Sequence, residues 1–158
     1  MAESTNRPRV ASLVFTPRDV EPRKPRDRYS RVAVDRVQLV ESQGIDGDAK
    51  GGTGDRQLNV MLAETLAELA REGFKAGPGE LGEQIVIAGL DPAALVQGTQ
   101  IKLGRAVIEV GIPRTGCARF ESIQGKPKQS AKGRLGAMAC VLTGVEVAIG
   151  DAVEVLQS

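Results

Sequence analysis

One cysteine in this chain has neighbours that could make it reactive. Cys117 follows a Pro-Arg-Thr-Gly turn and lies between two arginines, Arg114 and Arg119. A turn keeps its side chains near the surface, and a nearby guanidinium favours the thiolate over the thiol. A thiolate is both a nucleophile and a soft metal ligand. The pattern therefore predicts that Cys117 is the reactive group of the protein rather than a buried structural thiol.

The composition excludes most other catalytic centres. The chain has no histidine, so Ser-His-Asp triads, Cys-His triads and histidine-based zinc sites are absent. Two cysteines, Cys117 and Cys140, are too few for a four-thiolate zinc site, an iron–sulfur cluster or a disulfide scaffold. A metal centre would need further ligands from an organic cofactor. Cys140 lies in an apolar run and is expected in the core; the alternative is a disulfide with Cys117 after sulfur transfer.

Charge and hydropathy narrow the class of partner. The net charge is +1, and the aromatic residues are one Tyr and three Phe, with no Trp. These values argue against a nucleic-acid-binding surface built on stacking platforms. No apolar run approaches the roughly 20 residues that a membrane span needs, and the N-terminus lacks the apolar core of a signal peptide. We therefore expect a cytoplasmic protein with reduced thiols that binds neither nucleic acid nor membrane.

The pattern of short apolar segments separated by glycine turns predicts one mainly β domain with one or two helices. Such a pattern is typical of a barrel or a closed, curved sheet. The clearest helical pattern covers residues 63–72 and ends at Gly73, and Gly104-Arg105 predicts a hairpin. The predicted strands cover residues 10–15, 31–40, 58–62, 84–88, 99–103, 106–110, 138–142, 145–149 and 152–156.

Three loops stand out by composition. Residues 16–30 are rich in proline and arginine, which is typical of a solvated loop; the alternative is a loop that draws in an anionic ligand. Residues 44–54 contain five glycines, whose N–H groups could cradle a phosphate or form a tight turn that closes the sheet. This loop lacks the ending of a nucleotide P-loop. Residues 125–132 form a third, basic loop.

Four segments share their order and spacing with one known family. They are Gly44-Ile-Asp-Gly-Asp48 with Asp55-Arg56-Gln57, Gly79 to Asp91 leading to Gly98–Gly104, Pro113-Arg-Thr-Gly-Cys117 with Phe120, and Gly133 to Leu142 with Gly150-Asp151. Each motif is short, but together they resemble the MOSC domain, which occurs at the C-terminus of molybdenum cofactor sulfurases and as small free-standing proteins. The resemblance implies a single MOSC domain over residues 1–158, with a β-barrel core at about 30–156.

The resemblance also implies a function. It implies binding of the molybdenum cofactor (molybdopterin), with the Cys117 thiolate as a ligand of molybdenum. The expected activity is reduction of N-hydroxylated or similar small molecules, or handling of the cofactor. One alternative is a sulfur carrier or sulfurtransferase that forms a persulfide on the same thiol, with a cysteine desulfurase or a molybdoenzyme as partner. The other is a non-catalytic module that binds an anion or a partner protein.

The same resemblance implies basic residues that hold the phosphate and the oxygen-rich pterin. A guanidinium suits this task because its planar fork binds an oxyanion through two parallel N–H groups. Many relatives carry a histidine near the first motif, where this chain has Ala49-Lys50, so Lys50 would have to take its place. Glu80 and Glu83 are expected to cap backbone groups or face solvent; the alternative is that they orient the ligand or act as an acid. The candidate cofactor-binding residues are Arg114, Arg56, Lys50, Arg119 and Arg134.

Overall fold

The protein is mainly β with two α-helices, in a computed structural model that describes residues 7–17, 29, 31–49, 52, 54 and 57–157. The helices are α1 (Ala63–Arg71) and α2 (Ala118–Gln124), and short 3₁₀ helices cover Pro92–Ala94 and Lys128–Ala131. This confirms the predicted fold class. The strands within the described residues are β1 (Arg9–Phe15), β2 (Val32–Val34), β3 (Arg36–Val40), β4 (Gly44–Ile45), β5 (Leu58–Leu62), β6 (Ile85–Ala88), β7 (Gln100–Leu103), β8 (Ala106–Pro113), β9 (Ala137–Thr143), β10 (Glu146–Ala148) and β11 (Val153–Gln157).

Eight strands form one rolled sheet in the order β11-β7-β8-β9-β5-β6-β1-β2, and β10-β3-β4 form a small second sheet. Only β5 and β6 pair in parallel within the described residues, and α1 supplies the crossover that such a pair requires. The ends of the large sheet approach each other through a bridge between Arg9 and Ala152. The Val10 N–H also donates to the Asp151 carbonyl at 2.9 Å. The sheet is therefore barrel-like, although no ladder joins β2 to β11 in the part of the chain described.

Two apolar clusters hold this sheet. The larger one fills the inside of the roll, and its members alternate along the strands, as Leu58, Val60 and Leu62 do in β5. The smaller one lies on the other face of β5, where Met61 packs with Leu69 of α1, Phe120 of α2 and a few further residues. Both faces of β5 are thus covered, which explains why all five of its residues are buried. The smaller cluster underlies the segments that form the candidate site.

Several boundaries differ from the predicted ones. The predicted strand at 31–40 breaks at Asp35 into β2 and β3, which belong to different sheets. Helix α2 was not predicted from the sequence. It spans only seven residues, which are too few to show the 3.6-residue period of a helix. Its buried residues, Phe120, Ile123 and Gln124, follow helical spacing once the start is known. Neither helix of the described residues has the length and apolar character needed to cross a membrane.

Candidate functional site

A cavity of about 550 Å³ lies beside Cys117. It is formed by the segment that follows β8, the turn that precedes β6, and side chains from β5 and β9. No acidic residue lines it among the described residues, whereas three arginines do. Such a lining favours a ligand with negative charge. Its polar side chains are those of Tyr29, Arg31, Asn59, Gln84, Arg114, Thr115, Cys117 and Arg119.

The Cys117 side chain is exposed and its sulfur is free. The residue comes directly before α2 in an extended conformation, with φ −139° and ψ 179°, and its carbonyl accepts the Glu121 N–H at 3.0 Å. The backbone of α2 therefore fixes where this residue sits at the cavity. A thiol in this position can be reached both by a ligand in the cavity and by a second protein.

Cys140 does not lie in the core, so the prediction for this residue was wrong. Residues of β9 alternate between the two faces of the sheet, and Ala139 and Val141 occupy the buried face. Cys140 falls on the opposite face, half-buried, with its sulfur 3.7 Å from the Gly54 carbonyl oxygen. A disulfide between Cys140 and Cys117 after sulfur transfer stays a prediction.

Two of the arginines are anchored by carbonyl groups of the turn before β6. Arg31 Nη2 donates to the Gly82 carbonyl at 2.8 Å. Arg114 Nη1 donates to the Leu81 carbonyl, while its Nη2 donates to the Tyr29 hydroxyl at 3.2 Å. Because one nitrogen of each guanidinium group is held by a carbonyl, the remaining N–H groups of that guanidinium have a defined direction. Preorganised donors of this kind bind an oxyanion without the entropy cost of ordering long side chains.

Tyr29 brings the three arginines together. The guanidinium carbons of Arg119, Arg31 and Arg114 lie 4.9, 5.7 and 5.9 Å from the centre of its ring. The negative face of an aromatic ring attracts cations at such distances. Burial raises the pKa of the Tyr29 hydroxyl, an effect that Arg114 opposes, so the hydroxyl keeps its proton at neutral pH. Burial also lowers the pKa of Arg31, and the Asp48 carboxylate opposes that shift.

A chain of buried polar groups forms the floor of the cavity. Asp48 is fully buried and accepts hydrogen bonds from the Thr16 N–H at 3.1 Å and from Gln84 Nε2 at 3.0 Å. Gln84 Oε1 accepts the Asn59 N–H at 2.7 Å. Asp48 belongs to the glycine-rich segment of the first motif. Asp48, the part of this segment that contacts the cavity floor, therefore anchors that floor through its hydrogen bonds.

Two floor residues keep polar atoms without a hydrogen-bond partner among the described residues. They are Asn59, through Oδ1, and Arg31, through Nε and Nη1. Both side chains donate through another nitrogen to the same carbonyl, that of Gly82, at 3.4 and 2.8 Å. Buried polar groups in native proteins are nearly always paired, with protein, water or ligand. The floor therefore offers an acceptor and a pair of donors close together for a ligand or water.

Glu83 holds the turn that anchors the arginines. Its carboxyl group is fully buried and accepts the N–H groups of Gly79 at 2.7 Å and Leu81 at 3.2 Å. The residue thus caps backbone groups, one of the two roles expected for it, and does not face solvent. Burial raises the pKa of this carboxyl above its ordinary value of 4.5, although the hydrogen bonds from the turn oppose the shift.

This raised pKa predicts a pH dependence of stability. A carboxyl whose pKa is higher in the folded state holds its proton more tightly there, so its contribution to stability declines as pH rises from about 4.5 through the folded pKa. We expect Glu83→Gln to remove this part of the decline, measured by urea unfolding from pH 4.5 to 8. Glu80→Gln is the matched control, because it removes one carboxylate from the same turn. Parallel stability curves for wild type and Glu83→Gln would contradict the prediction.

The structure brings Cys117, Arg114 and Arg119 together at one cavity and places Arg134 elsewhere. The Arg134 guanidinium pairs with Glu68 at 2.7 Å and with Glu72 at 2.5 Å. It lines a separate cavity of about 340 Å³. Its charge is thus already matched by two carboxylates. The other two candidate residues, Lys50 and Arg56, lie outside the described residues.

Sequence reasoning missed four residues of the cavity: Tyr29, Arg31, Asn59 and Gln84. Asn59 carried a usable signal, because it is the one polar residue inside the apolar run 58–62. A polar residue in a buried strand requires a hydrogen-bond partner and often marks a site. Arg31 and Tyr29 carried no such signal. They belong to a stretch of many charged residues, and only the folded chain shows which of them turn inward.

Comparison with known proteins identifies the family. The family model described as the MOSC domain matches residues 46–154, which is more than half of the chain. The chain therefore belongs to the MOSC domain family, a family associated with binding of the molybdenum cofactor. No curated protein matches the chain.

Several solved structures have a fold similar to that of this chain. YiiM from Escherichia coli matches with 22% identity and a TM-score of 0.69, over 95% of this chain and 70% of that one. The YuaD protein from Bacillus subtilis matches with 20% identity and a TM-score of 0.74, over 96% and 97%. YiiM from Geobacillus stearothermophilus matches with 17% identity and a TM-score of 0.72, over 95% and 75%. At these identities the likeness shows the fold.

Proposed function

We propose that this protein binds the molybdenum cofactor in the cavity beside Cys117 and uses the Cys117 thiolate as a ligand of molybdenum. The activity we propose is reduction of N-hydroxylated or similar small molecules, or handling of the cofactor. One observation carries the proposal: an exposed thiol stands at a cavity that contains three arginines and no acidic lining among the described residues.

The residues present fit such a cofactor. A volume of about 550 Å³ lies within the usual range for small-molecule sites, roughly 300–1,000 Å³. The arginines match a phosphate, and Asn59 Oδ1, which has no hydrogen-bond partner in the part of the chain described, matches an N–H group of a pterin. No cluster of three His, Cys, Asp or Glu side chains in the described residues could hold a metal ion. A metal at Cys117 would therefore take its other ligands from the cofactor, as the composition predicts.

Each residue of the cavity has a distinct task under this proposal. Arg31 and Arg114 bind the oxyanion, and Tyr29 holds their guanidinium groups near its ring through cation–π contacts. Cys117 supplies a soft sulfur ligand. The bound cofactor would supply the redox-active metal. On the remaining side, Ile112 and Met138 give the cavity an apolar wall for the uncharged part of a substrate.

Metal and pterin analysis tests this proposal. Protein produced with molybdate, or supplied with cofactor, should contain molybdenum and release a fluorescent pterin on oxidation. The double variant Arg31→Gln/Arg114→Gln should retain less than about a tenth of both, because each hydrogen bond to a charged group contributes roughly 1.5–3 kcal/mol. Arg134→Gln is the matched control and should retain the wild-type content. Absence of molybdenum and pterin from native and supplemented wild type would overturn the proposal.

The exposure of Cys117 favours a second candidate function, that of a sulfur carrier. A sulfur donor protein such as a cysteine desulfurase must reach its acceptor thiol, and this sulfur is reachable. Incubation with a desulfurase should then add one sulfur to the Cys117 peptide, as seen by mass spectrometry, in protein that holds no pterin. An unmodified peptide would exclude the sulfur carrier. The third alternative, a binding module without catalysis, requires ligand binding to survive Cys117→Ser.

A further inference from the structure

A second, smaller cavity adjoins the one at Cys117. It has a volume of about 240 Å³ and shares Arg114, Thr115 and Gly116 with the first. We call it the basic cavity; its other lining residues are Lys128, Gln129, Lys132, Gly133 and Leu135. The lysines belong to the basic loop that stands out in the sequence and that the proposed function leaves without a role. As in the first cavity, no acidic residue lines it among the described residues.

The nearby carboxylates are engaged with other groups. Glu68 and Glu72 pair with the Arg134 guanidinium. Glu121 accepts the backbone N–H of Lys128 at 2.8 Å. Within the described residues, the ammonium groups of Lys128 and Lys132 take part in no ion pair. Lys128, Lys132 and the shared Arg114 thus bring three positive charges to one small cavity, and no carboxylate of the described residues lines it.

The walls of the basic cavity are well anchored. Lys128 begins a 3₁₀ helix and Lys132 directly follows it, and Ala131 of this helix is fully buried in the smaller apolar cluster. Arg134 Nη2 donates to the Ser130 carbonyl at 2.6 Å, which links the same helix, through Arg134, to Glu68 of α1. Leu135, which is almost fully buried, supplies an apolar wall. The base of the cavity is therefore part of the packed structure, while Lys128 and Lys132 are exposed at its rim.

Gly116 shows how closely the Cys117 segment packs against this loop. A Cβ atom at position 116 would lie 2.8 Å from Lys128 Cβ and 3.3 Å from the Phe120 ring. The backbone there is not left-handed, so space is what calls for glycine at this position. The stem of Lys128 can consequently lie against the residue that directly precedes Cys117.

We propose that the basic cavity is a second anion subsite, which binds a phosphate group next to the Cys117 segment. Lysine binds phosphate as a compact point charge, and two lysines match the charge of a phosphate near neutral pH. The volume of about 240 Å³ admits one phosphate and a few waters, since a water occupies roughly 30 Å³ in the liquid. Its two lysines do not line the first cavity, and the subsite does not require the molybdenum cofactor.

Titration of ¹⁵N-labelled protein with inorganic phosphate, at ionic strength held constant with sodium chloride, tests the subsite residue by residue. We expect saturable shifts of the Gln129, Lys132 and Gly133 amides. Lys128→Gln/Lys132→Gln should weaken this binding at least about tenfold, because two charged contacts are lost. Lys102→Gln, on a strand that lines neither cavity, is the matched control. Arg31→Gln should affect only the first cavity and leave this set of shifts in place.

The outcomes separate the sources of the phosphate and decide the proposal. A parallel titration with glycerol phosphate compares an ester with the free ion. Tighter binding of the ester would identify a phosphorylated small molecule as the ligand class, and tighter binding of inorganic phosphate would identify the free ion; both support the subsite. Absence of saturable shifts at these amides overturns it. Equal phosphate affinity in wild type and in the double lysine variant overturns it too.

Discussion

The Cys117→Ser variant is expected to lose at least about 100-fold of the cofactor-dependent activity, more than the 10–100-fold typical of residues that only support a metal ligand. A serine hydroxyl stays protonated at neutral pH and is a harder donor than a thiolate, so it replaces the sulfur neither as a metal ligand nor as a persulfide carrier. Stability should not change, because the side chain is exposed and contributes nothing to either apolar cluster.

The measurement is the rate of N-hydroxy-compound reduction by cofactor-loaded protein, with thermal unfolding recorded for the same samples. Cys140→Ser is the matched control, since it exchanges the same atom in a residue that does not line the cavity. We expect this control to keep the wild-type rate. If Cys117→Ser retained full activity while holding the cofactor, the thiolate would have no part in the reaction and the role proposed for Cys117 would be wrong.

The second large effect is on folding, at a glycine next to the site. Gly136 has φ +75°, and a Cβ atom there would lie 2.0 Å from the Val60 carbonyl oxygen and 2.8 Å from Met61 Cγ. The Gly136 carbonyl also accepts the Arg114 N–H at 3.0 Å, which places the residues before Cys117. Gly136→Ala should therefore cost about 2–5 kcal/mol, the sum of left-handed backbone strain and overpacking against backbone that cannot yield.

Gly133→Ala is the matched control for this substitution. Gly133 lies in the same segment with φ +80°, but nothing lies within 4 Å of its Cβ position. It should cost only the backbone strain, about 1–2 kcal/mol. Urea unfolding of both variants measures the difference. If both variants lost the same free energy of unfolding, the close approach to β5 would not contribute to the cost, and backbone strain alone would require glycine at both positions.

Most of the strands could be predicted because their signals are local. In β5 and in the β7–β8 hairpin the apolar pattern and the bounding turns lie within a few residues of each other, and both elements were correct. Helix α2 was missed because seven residues carry too little periodicity. Cys140 was misplaced because an apolar run does not show which face of β9 each residue occupies. That choice depends on the strands beside it.

The sequence by itself determined the chemistry that is available to this protein. The chain has no histidine and only two cysteines, and one of these follows the Pro-Arg-Thr-Gly turn, so Cys117 was the candidate reactive group. The order of the motifs indicated the MOSC family. These are properties of residue types and spacing, which survive without coordinates.

The tertiary structure alone decided which charges surround that sulfur. Arg31 meets the Gly82 carbonyl across 51 positions of the chain, and Arg114 meets Tyr29 across 85. Arg134, equally plausible by composition, instead pairs with Glu68 of α1 and with Glu72 directly after that helix. Such contacts follow from how the sheet rolls and how the turns pack. A guanidinium can bind any oxygen acceptor it reaches, and which acceptor that is depends on the packing of the whole chain.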